Sequence, residues 1–597
     1  MRLTPVDWAV IAGYFLFNLA IGFYYKGRAG RNTNEFFLSG RNAPWWLAGT
    51  SMVATTFAAD TPLAVTGMVA RNGIAGNWLW WNSVASGMLT VFLFARLWRR
   101  SGVMTDVEFA EMRYAGRPAA FLRGFRALYL GVLINCIILG WVNLAMVKIL
   151  SLILGVNRDV ALVIVVGIIA LTSFISTLSG LWGVLVTDLF QFAVKMTMVI
   201  VLAVAAVRAV GGIDSLKLQL AAIDHAKGLA TGTSGSALSF VPDLNSAWMP
   251  MLTFLVYISL NWWATWYPGA EPGGGGYIAQ RMFCAKDEKH SLLATLWFNI
   301  AHYAVRPWPW VLVGLAAVVL YQRDPGFLAD PETGYIRVMI DHLPAWLRGT
   351  MVAAFAAAFM STVGTQLNWG ASYLINDFYR RFVRAKAPDL HYVNASRVAT
   401  VALTLISAVI TRYMDSIAGA WQLLIVTGAG TGTVLILRWY WWRINAWSEV
   451  SAMTVAFVVS VALQKAFGLS SADPLGFAHI MLITVGITTA TWLLVTFLTA
   501  PEPKEQLLAF YRRVRPPAAL WGPIARLATD VPASRNLRYD LFDWIAGCAL
   551  IYGALFGAGK VILKEYVAGG AFLVVALAAG WYIYLDLSRR GWKTVVE

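Results

Sequence analysis

Charged residues are scarce in this sequence: of 597 residues, only 13% are Asp, Glu, Lys or Arg, whereas 59% are hydrophobic. Soluble domains average about a quarter charged and about half apolar residues. No soluble shape of this size could bury so much apolar side chain, but a surface that faces lipid can carry it. The composition therefore predicts an integral membrane protein.

Cysteine clusters and nucleic-acid-binding motifs are also lacking. Cys136, Cys284 and Cys548 form no CxxC pair, so their spacing indicates neither a disulfide framework nor a zinc site. The net charge of +16 would suggest nucleic acid in a soluble protein. Here the Lys and Arg residues lie between apolar segments, which is typical of cytoplasmic loops, and we expect no nucleic-acid partner.

Long apolar runs dominate what is present. A spanning helix needs roughly 20 mostly apolar residues, and about fifteen segments qualify. They are 7–25, 45–68, 75–97, 124–152, 159–178, 184–209, 247–270, 291–321, 349–378, 395–412, 418–438, 449–467, 477–498, 540–562 and 568–586. The first has no A-x-A cleavage site, so we expect a retained helix and not a signal peptide.

Basic residues fall on one side of the membrane if the N-terminus is placed outside. The inside loops then hold most of the Lys and Arg, and the outside loops 210–246 and 322–348 are near neutral or acidic. This pattern predicts a bacterial-type inner (plasma) membrane protein with an outside N-terminus and a cytoplasmic C-terminus. We expect the Arg-rich amphipathic segment 503–538 to lie along the membrane surface.

Two spans are interrupted at corresponding positions. Asp60 and Pro62 lie within the second span, and the seventh ends in 266–272, followed by four glycines at 273–276. Backbone freed from helical bonding cannot face lipid, and inverted-repeat transporters bind ion and solute at such breaks. With the first helix set aside, the breaks begin two sets of five helices. A kinked helix and a flexible loop are the alternative.

These patterns predict an all-α polytopic membrane protein. Its expected core is a ten-helix inverted-repeat (5+5) broken-helix core, with one extra N-terminal and about four extra C-terminal transmembrane helices. The expected divisions are an N-terminal helix with its inside loop, a first repeat, an outside loop, a second repeat and the C-terminal helices. They cover 1–44, 45–209, 210–246, 247–445 and 446–597.

Polar residues inside the spans are the candidate functional residues, because they are expensive there unless paired or functional. Asp188 and Lys195 lie seven residues apart on roughly the same helix face, as a structural pair or as part of an ion site. Arg306 is expected to face a cavity, and His302, one turn earlier, to be a packing residue.

Ser361 and Thr362 lie among small residues in the ninth span. Small residues let helices approach closely, so the run can be a packing seam. It can equally be an alkali-ion site, in which these hydroxyls meet carbonyls released by the broken second helix. The sequence leaves both interpretations open.

A string of motifs in order covers about residues 5–445. It comprises 36–41 with Trp45 and Trp46, Thr105 with Glu108, Phe109, Arg113 and Tyr114, 180–191, 277–281 with 285–287, and Ser361 with Thr362. In order and spacing it resembles the sodium:solute symporter family, which includes sodium/galactose and sodium/proline transporters. The resemblance implies the ten-helix core and sodium coupling.

The resemblance also implies site residues. The principal sodium site would use the backbone oxygens of Ala54, Phe57 and Ala358 and the hydroxyls of Ser361 and Thr362.

Two further residues match positions with roles in relatives. Asp188 matches an acid that some relatives use for a second sodium or for gating. Arg306 falls near a membrane lysine that touches substrate in sugar transporters. Two features depart from the family: the glycine run replaces aromatic gate residues, and Thr56 stands where proline transporters carry an acid.

The predicted function is secondary active transport: sodium-coupled uptake of a small organic solute by alternating access. Sodium is the one metal and cofactor expected. The solute, a sugar, polyol, amino acid or organic acid, is expected near Asp60, Trp81, Glu271 and Arg306. We expect contact with the lipid bilayer, no enzymatic activity and no obligate protein partner.

Three alternatives stay open at this point. Protons could replace sodium as the coupling ion, through Asp188 or Asp60. A membrane-embedded transferase could use Asp60, Glu271 or His302 chemically, but no soluble domain or nucleotide motif supports it. A sensor built on a transporter core is disfavoured, because the chain ends at Glu597 without a signalling domain.

Overall fold

The computed structural model describes residues 4–29, 38–103, 105–231, 236–265, 272–532 and 537–592. Within these ranges the chain is helical, with no β-strand beyond an isolated bridge between Ala43 and Ala285. The fold is therefore all-α, as predicted.

The helices are numbered in chain order, and the longer ones run through short 3-10 or π segments. The first eleven are α1 Pro5–Ala29, α2 Trp45–Thr56, α3 Asp60–Asn72, α4 Ile74–Ser101, α5 Phe109–Arg113, α6 Gly116–Leu154, α7 Arg158–Ala209, α8 Ile213–Thr231, α9 Met251–Ala264, α10 Gly276–Cys284 and α11 Glu288–Leu320. The others are α12 Pro325–Ala329, α13 Gly334–His342, α14 Ala345–Val383, α15 Asp389–Arg412, α16 Ile417–Thr427, α17 Thr431–Tyr440, α18 Ala446–Lys465, α19 Pro474–Leu498, α20 Lys504–Val514, α21 Gly522–Ala525, α22 Leu537–Ile562 and α23 Tyr566–Arg590.

The helices make this a multi-pass membrane protein. Among the described residues, 10 helices are long and apolar enough to cross a membrane, or up to 12 if each of two bent pairs is one span. Of the about fifteen predicted spans, the first and seventh are helical but have shorter apolar stretches, Pro5–Ile21 and Met251–Ala264. The fifth is not a separate helix.

That fifth span is part of α7, a single helix of 52 residues in which the sequence predicts two spans, 159–178 and 184–209. At 1.5 Å per residue, α7 is about 78 Å long, more than twice the hydrocarbon thickness of a bilayer. The predicted helix end between the two spans is wrong. Gly180 and Gly183 lie there without a proline, and a glycine weakens a helix by only about 1 kcal/mol. The division into two repeats stays a prediction.

Both predicted interruptions are present. α2 ends at Thr56 and α3 begins at Asp60, and the two helices are bent by 59°. In the seventh span, α9 ends at Ala264 and α10 begins at Gly276. Residues 266–271 of that interruption, including Glu271, lie outside the described residues.

A third break divides the predicted span 418–438, which the sequence analysis treated as continuous. α16 and α17 are bent by 56° across the intervening residues. Gly430 there has a left-handed φ of +92°, and its N–H donates to the carbonyl oxygen of Ala264 at 2.7 Å. The third break therefore lies against the end of α9.

The broken pair α2 and α3 lies at the centre of the helix bundle. α2 packs against α7, α11 and α14, and α3 packs against α6, α11 and α16. The C-terminal helices lie further out, with α18 against α19 and α22 against α23. Functional side chains from several spans can therefore converge on the gap between α2 and α3.

The apolar face of α20, within the segment 503–538, packs on protein, and the position of this segment along the membrane surface stays a prediction. Leu507, Phe510, Tyr511 and Val514 on α20 are buried, and α20 contacts α4 and α5. An amphipathic stripe shows that one face of a helix is covered, but it does not distinguish lipid from neighbouring helices.

Gly430→Ala should lower the melting temperature of the purified protein. A non-glycine residue in the left-handed region destabilises the folded state by about 1–3 kcal/mol. A β-carbon at this position would also lie 2.6 Å from Thr488 Cβ. Gly486→Ala on α19 is the matched control, since an added β-carbon there meets no atom within 4 Å. Equal melting temperatures for the two variants would contradict the requirement for glycine at this break.

Candidate functional site

The site begins with the backbone between α2 and α3. Phe57 ends α2 with φ −92° and ψ 64°, outside the helical region, and the connecting residues are buried. Side chains take over bonding to the carbonyls here: the Thr362 hydroxyl donates to the Thr55 oxygen at 3.2 Å and the Thr61 hydroxyl to the Thr56 oxygen at 3.4 Å. Such substitution is what permits irregular backbone at membrane depth.

A cavity of about 70 Å³ lies beside this break. Because one water molecule needs about 10–15 Å³ of cavity volume, this cavity has room for several water molecules. Its walls come from α2, α3, α4, α6, α10, α11, α14 and α16, together with the connection after α2. They consist of Thr55, Thr56, Ala58, Asp60, Thr61, Trp80, Ser83, Ile138, Trp141, Val142, Tyr277, His302, Tyr303, Arg306, Thr362, Gln366 and Trp421.

Two acceptor oxygens in the cavity wall lack a partner. Asp60, in the first turn of α3, and Gln366, on α14, are 4% and 2% exposed. Asp60 Oδ1 and Gln366 Oε1 are buried and accept no hydrogen bond from any residue that the structure describes. Buried polar atoms are normally bonded, so two orphaned acceptors on residues that line one cavity indicate a hydrogen-bond donor that binds there.

Arg306 lines the cavity, as the sequence predicts. Its Nη1 donates to the Thr56 hydroxyl at 3.1 Å and its Nη2 to His302 Nδ1 at 2.6 Å. Its guanidinium also lies 5.2 Å from the centre of the Trp310 ring. These contacts hold the guanidinium against the wall of the cavity.

The carbonyl oxygens predicted to bind sodium face a cation of the protein itself. Lys195 Nζ, on α7, donates to the backbone oxygens of Ala54 and Phe57, each at 3.1 Å. These two oxygens therefore converge on a single monovalent cation.

The other predicted sodium ligands lie nearby on α14. The Ser361 hydroxyl donates to Asp188 Oδ1 at 2.9 Å, and the Thr362 hydroxyl bonds to Thr55. Ala358 is buried one turn before Thr362. The sodium-ligand assignments for these residues stay predictions.

Asp188 and Lys195 do not form the direct pair considered from the sequence. Asp188 accepts from the hydroxyls of Ser51 at 2.6 Å and Ser361 at 2.9 Å, and Arg281 Nη2 approaches its Oδ2 at 4.0 Å. Arg281 is thus the cation nearest to this carboxylate, although its position in the sequence does not suggest it.

Trp81 is not part of the cavity wall. It is fully buried against Trp78 and Phe556, with ring centres at 6.2 Å and 5.9 Å. Trp80 lines the cavity in its place, because successive helical residues point in directions about 100° apart. The sequence analysis also missed Gln366 in the cavity wall and assigned His302 to packing. A polar residue deep in an apolar span was the available signal for both.

A broken membrane helix beside a buried polar cavity is typical of one class of protein, the membrane transporters built on interrupted helices. The particular family follows from sequence. The sequence model of the "Sodium:solute symporter family" matches residues 36–455, and the chain belongs to this family. Membership confirms the predicted sodium-coupled solute symport, with sodium as the coupling ion.

Curated relatives are similar over most of the chain. The sodium/mannose cotransporter of Bos taurus is 25% identical over 74% of this chain and 76% of its own length. The sodium/myo-inositol cotransporter 2 of Sus scrofa is 22% identical over 90% and 85%. The sodium/glucose cotransporter of Vibrio parahaemolyticus is 25% identical over 70% and 77%.

The fold is similar to that of a solved transporter. A substrate-bound, outward-open Na⁺-coupled sialic acid symporter matches with a TM-score of 0.64 and 19% identity. The match covers 84% of this chain and 99% of that one. This similarity confirms the predicted broken-helix fold.

Proposed function

We propose that this protein takes up a neutral, polyhydroxylated solute, a sugar or a cyclic polyol, together with sodium. The observation that carries the solute class is the pair of buried acceptors without partners, Asp60 Oδ1 and Gln366 Oε1. A sugar or polyol hydroxyl is a donor that can satisfy each of them. The carboxylate group of an acidic solute offers only acceptors to these positions.

Aromatic side chains around the cavity support the same solute class. The rings of Trp80 and Tyr303 are stacked at 5.7 Å, and Trp141 and Trp421 form further wall. Apolar faces with a few fixed polar groups are typical of small-molecule sites. The C–H faces of a sugar or cyclitol ring fit such walls, while its hydroxyls reach the acceptors.

Arg306 gives little support to an acidic solute. Its guanidinium already donates to Thr56 and His302, so a carboxylate would have to displace bonds that are made. The relatives named for mannose, myo-inositol and glucose agree with a polyhydroxylated solute. Amino acids and organic acids are therefore the less favoured solutes.

Transport follows alternating access in this proposal. Sodium enters from outside and binds the oxygens of Ala54, Phe57, Ala358, Ser361 and Thr362, and the solute binds in the adjacent cavity. A tenfold sodium gradient contributes about 1.4 kcal/mol, and one charge crossing 100 mV contributes about 2.3 kcal/mol. One sodium ion then supports accumulation of roughly several-hundred-fold.

The remaining proposals concern setting and partners. We place the chain in a bacterial-type inner membrane with the N-terminus outside and the C-terminus in the cytoplasm, following the basic loops. It works there without enzymatic chemistry and without an obligate protein partner, with its apolar helices in contact with lipid. Labelling of single cysteines placed in the two terminal segments would test the orientation.

Sodium should raise the melting temperature of the purified protein above its value in choline at equal ionic strength. A ligand at a hundredfold excess over its Kd stabilises the folded state by about 2.7 kcal/mol. Ser361→Ala with Thr362→Ala should lose this sodium-specific rise.

Thr404→Ala with Ser407→Ala is the matched control for that pair. These buried hydroxyls donate within α15, at 2.9 Å and 2.8 Å, away from the break, and the Ser407 hydroxyl also accepts from Asn143 on α6 at 3.3 Å. A sodium response that survives in the Ser361 and Thr362 variant would place the ion elsewhere.

Gln366→Leu should weaken binding of the transported polyol about fivefold or more, because leaving a buried solute hydroxyl unpaired costs about 1–3 kcal/mol. Isothermal titration of myo-inositol, mannose and glucose in sodium measures this. Gln464→Leu on α18 is the control, because among the residues that the structure describes its amide bonds only to Ser460 on the same helix. Equal affinities for the wild type and Gln366→Leu would remove Gln366 from the solute site.

A further inference from the structure

Lys195 carries an ammonium group deep in the membrane part of α7. The residue is 2% exposed and lies well inside the apolar span Val184–Ala209. A charged side chain at such depth is expensive and is normally paired or functional. What surrounds its Nζ atom therefore indicates its role.

Oxygens of the helix break surround this ammonium. Nζ donates to Ala54 and Phe57, both at 3.1 Å, and lies 5.3 Å from the centre of the Phe57 ring. No carboxylate among the described residues lies within 4.0 Å of Nζ. The nearby Asp188 instead contacts Ser51, Ser361 and Arg281. Carbonyl dipoles and an aromatic face are the groups in direct contact with this charge.

We propose that Lys195 is a tethered occupant of the coupling-cation site and competes there with sodium. The inference rests on the proposed sodium ligands, because two of them, the oxygens of Ala54 and Phe57, are the acceptors of the Lys195 ammonium. Sodium then binds only when Nζ has left these oxygens.

Electrostatics makes the two occupants mutually exclusive. Two unit charges a few ångströms apart in a site that excludes water repel strongly, and the same carbonyl lone pairs cannot point at both. An ammonium on a four-carbon stem can move where a backbone carbonyl cannot.

Asp188, on α7, is the carboxylate toward which we propose that the displaced ammonium moves. Side chains on a helix lean toward its N-terminus, and Asp188 lies two turns in that direction, about 10.5 Å along the axis. The ammonium can therefore swing from the carbonyls toward this carboxylate when sodium enters.

The competition has a consequence for the transport cycle. In the sodium-free carrier, Lys195 satisfies carbonyls that would otherwise face an empty, water-poor gap. The carrier without sodium and solute can then return to its outward-facing state with the Lys195 ammonium in the cation site. The sodium-bound carrier holds a sodium ion in addition to the displaced Lys195 ammonium. Repulsion between these two charges opposes sodium binding.

Sodium affinity measured on the full-length protein tests this directly. Melting temperature is recorded against sodium concentration at constant ionic strength and fixed pH, with choline as the balancing cation. Lys195→Met, which keeps the length of the stem and removes the charge, should bind sodium at least about tenfold more tightly than the wild type, because a like charge no longer opposes the ion.

Lys217→Met is the matched control. Its ammonium also donates to a backbone carbonyl, that of Leu563 at 3.0 Å, but it lies on α8 away from the break. Its sodium affinity should equal that of the wild type. If Lys195→Met does not purify as a single species, Lys195→Gln, which is neutral but keeps a donor, should show the same tighter binding.

The outcomes separate this inference from the proposed function. Equal or weaker sodium affinity in both Lys195 variants, with a clear sodium response in the wild type, would overturn the competition and leave sodium coupling intact. Absence of a sodium response in the wild type and in every variant would overturn both. Sodium binding that appears only in the Lys195 variants would support the competition while contradicting sodium coupling in the native protein.

Discussion

The backbone that leaves helical bonding between Thr56 and Asp60 is the constraint on which the site depends. At membrane depth no water or lipid can satisfy its carbonyls, so other helices must bring donors or cations to them. The structure does this with Lys195, Thr362 and Arg306, drawn from α7, α14 and α11. The packing of these helices around α2 and α3 is what supplies these partners.

The ion side and the solute side of the site share one aromatic ring. Phe57 lies between two buried cations, with its ring centre 5.3 Å from Lys195 Nζ and 5.8 Å from Arg306 Cζ. Its backbone oxygen is one of the proposed sodium ligands, and its neighbour Thr56 lines the cavity proposed for the solute. Movement of the break on one side must therefore change the geometry on the other, which is the physical basis for coupling ion to solute.

Residues with a high energetic penalty in lipid were the ones whose surroundings could be predicted from the sequence. Asp60 and Pro62 within an apolar run predicted the first break, and the expense of a buried guanidinium predicted a cavity at Arg306. Both predictions are confirmed by the helix ends and by the cavity wall. The glycines around Gly430 indicate the third break in the sequence, but hydrophobic periodicity alone does not detect it.

Features set by the rotation and packing of helices could not be predicted in this way. The apolar run around Trp80 and Trp81 predicts a helix but not which indole faces the cavity. The seven-residue spacing of Lys195 and Asp188 suggests a pair, yet the long lysine stem reaches carbonyls of another helix. Arg281 on α10, three helices further along the chain, compensates Asp188 instead. A single sequence contains no signal for such contacts between distant segments.

The central claim is that one helix break holds both the ion and the solute. The most direct test measures the affinity for myo-inositol, mannose or glucose at a series of sodium concentrations, and the affinity for sodium with and without the bound sugar or polyol. Linkage requires that each ligand raises the affinity for the other by the same factor, and a factor of about five or more is expected. Solute affinity that does not change with sodium would contradict a shared site.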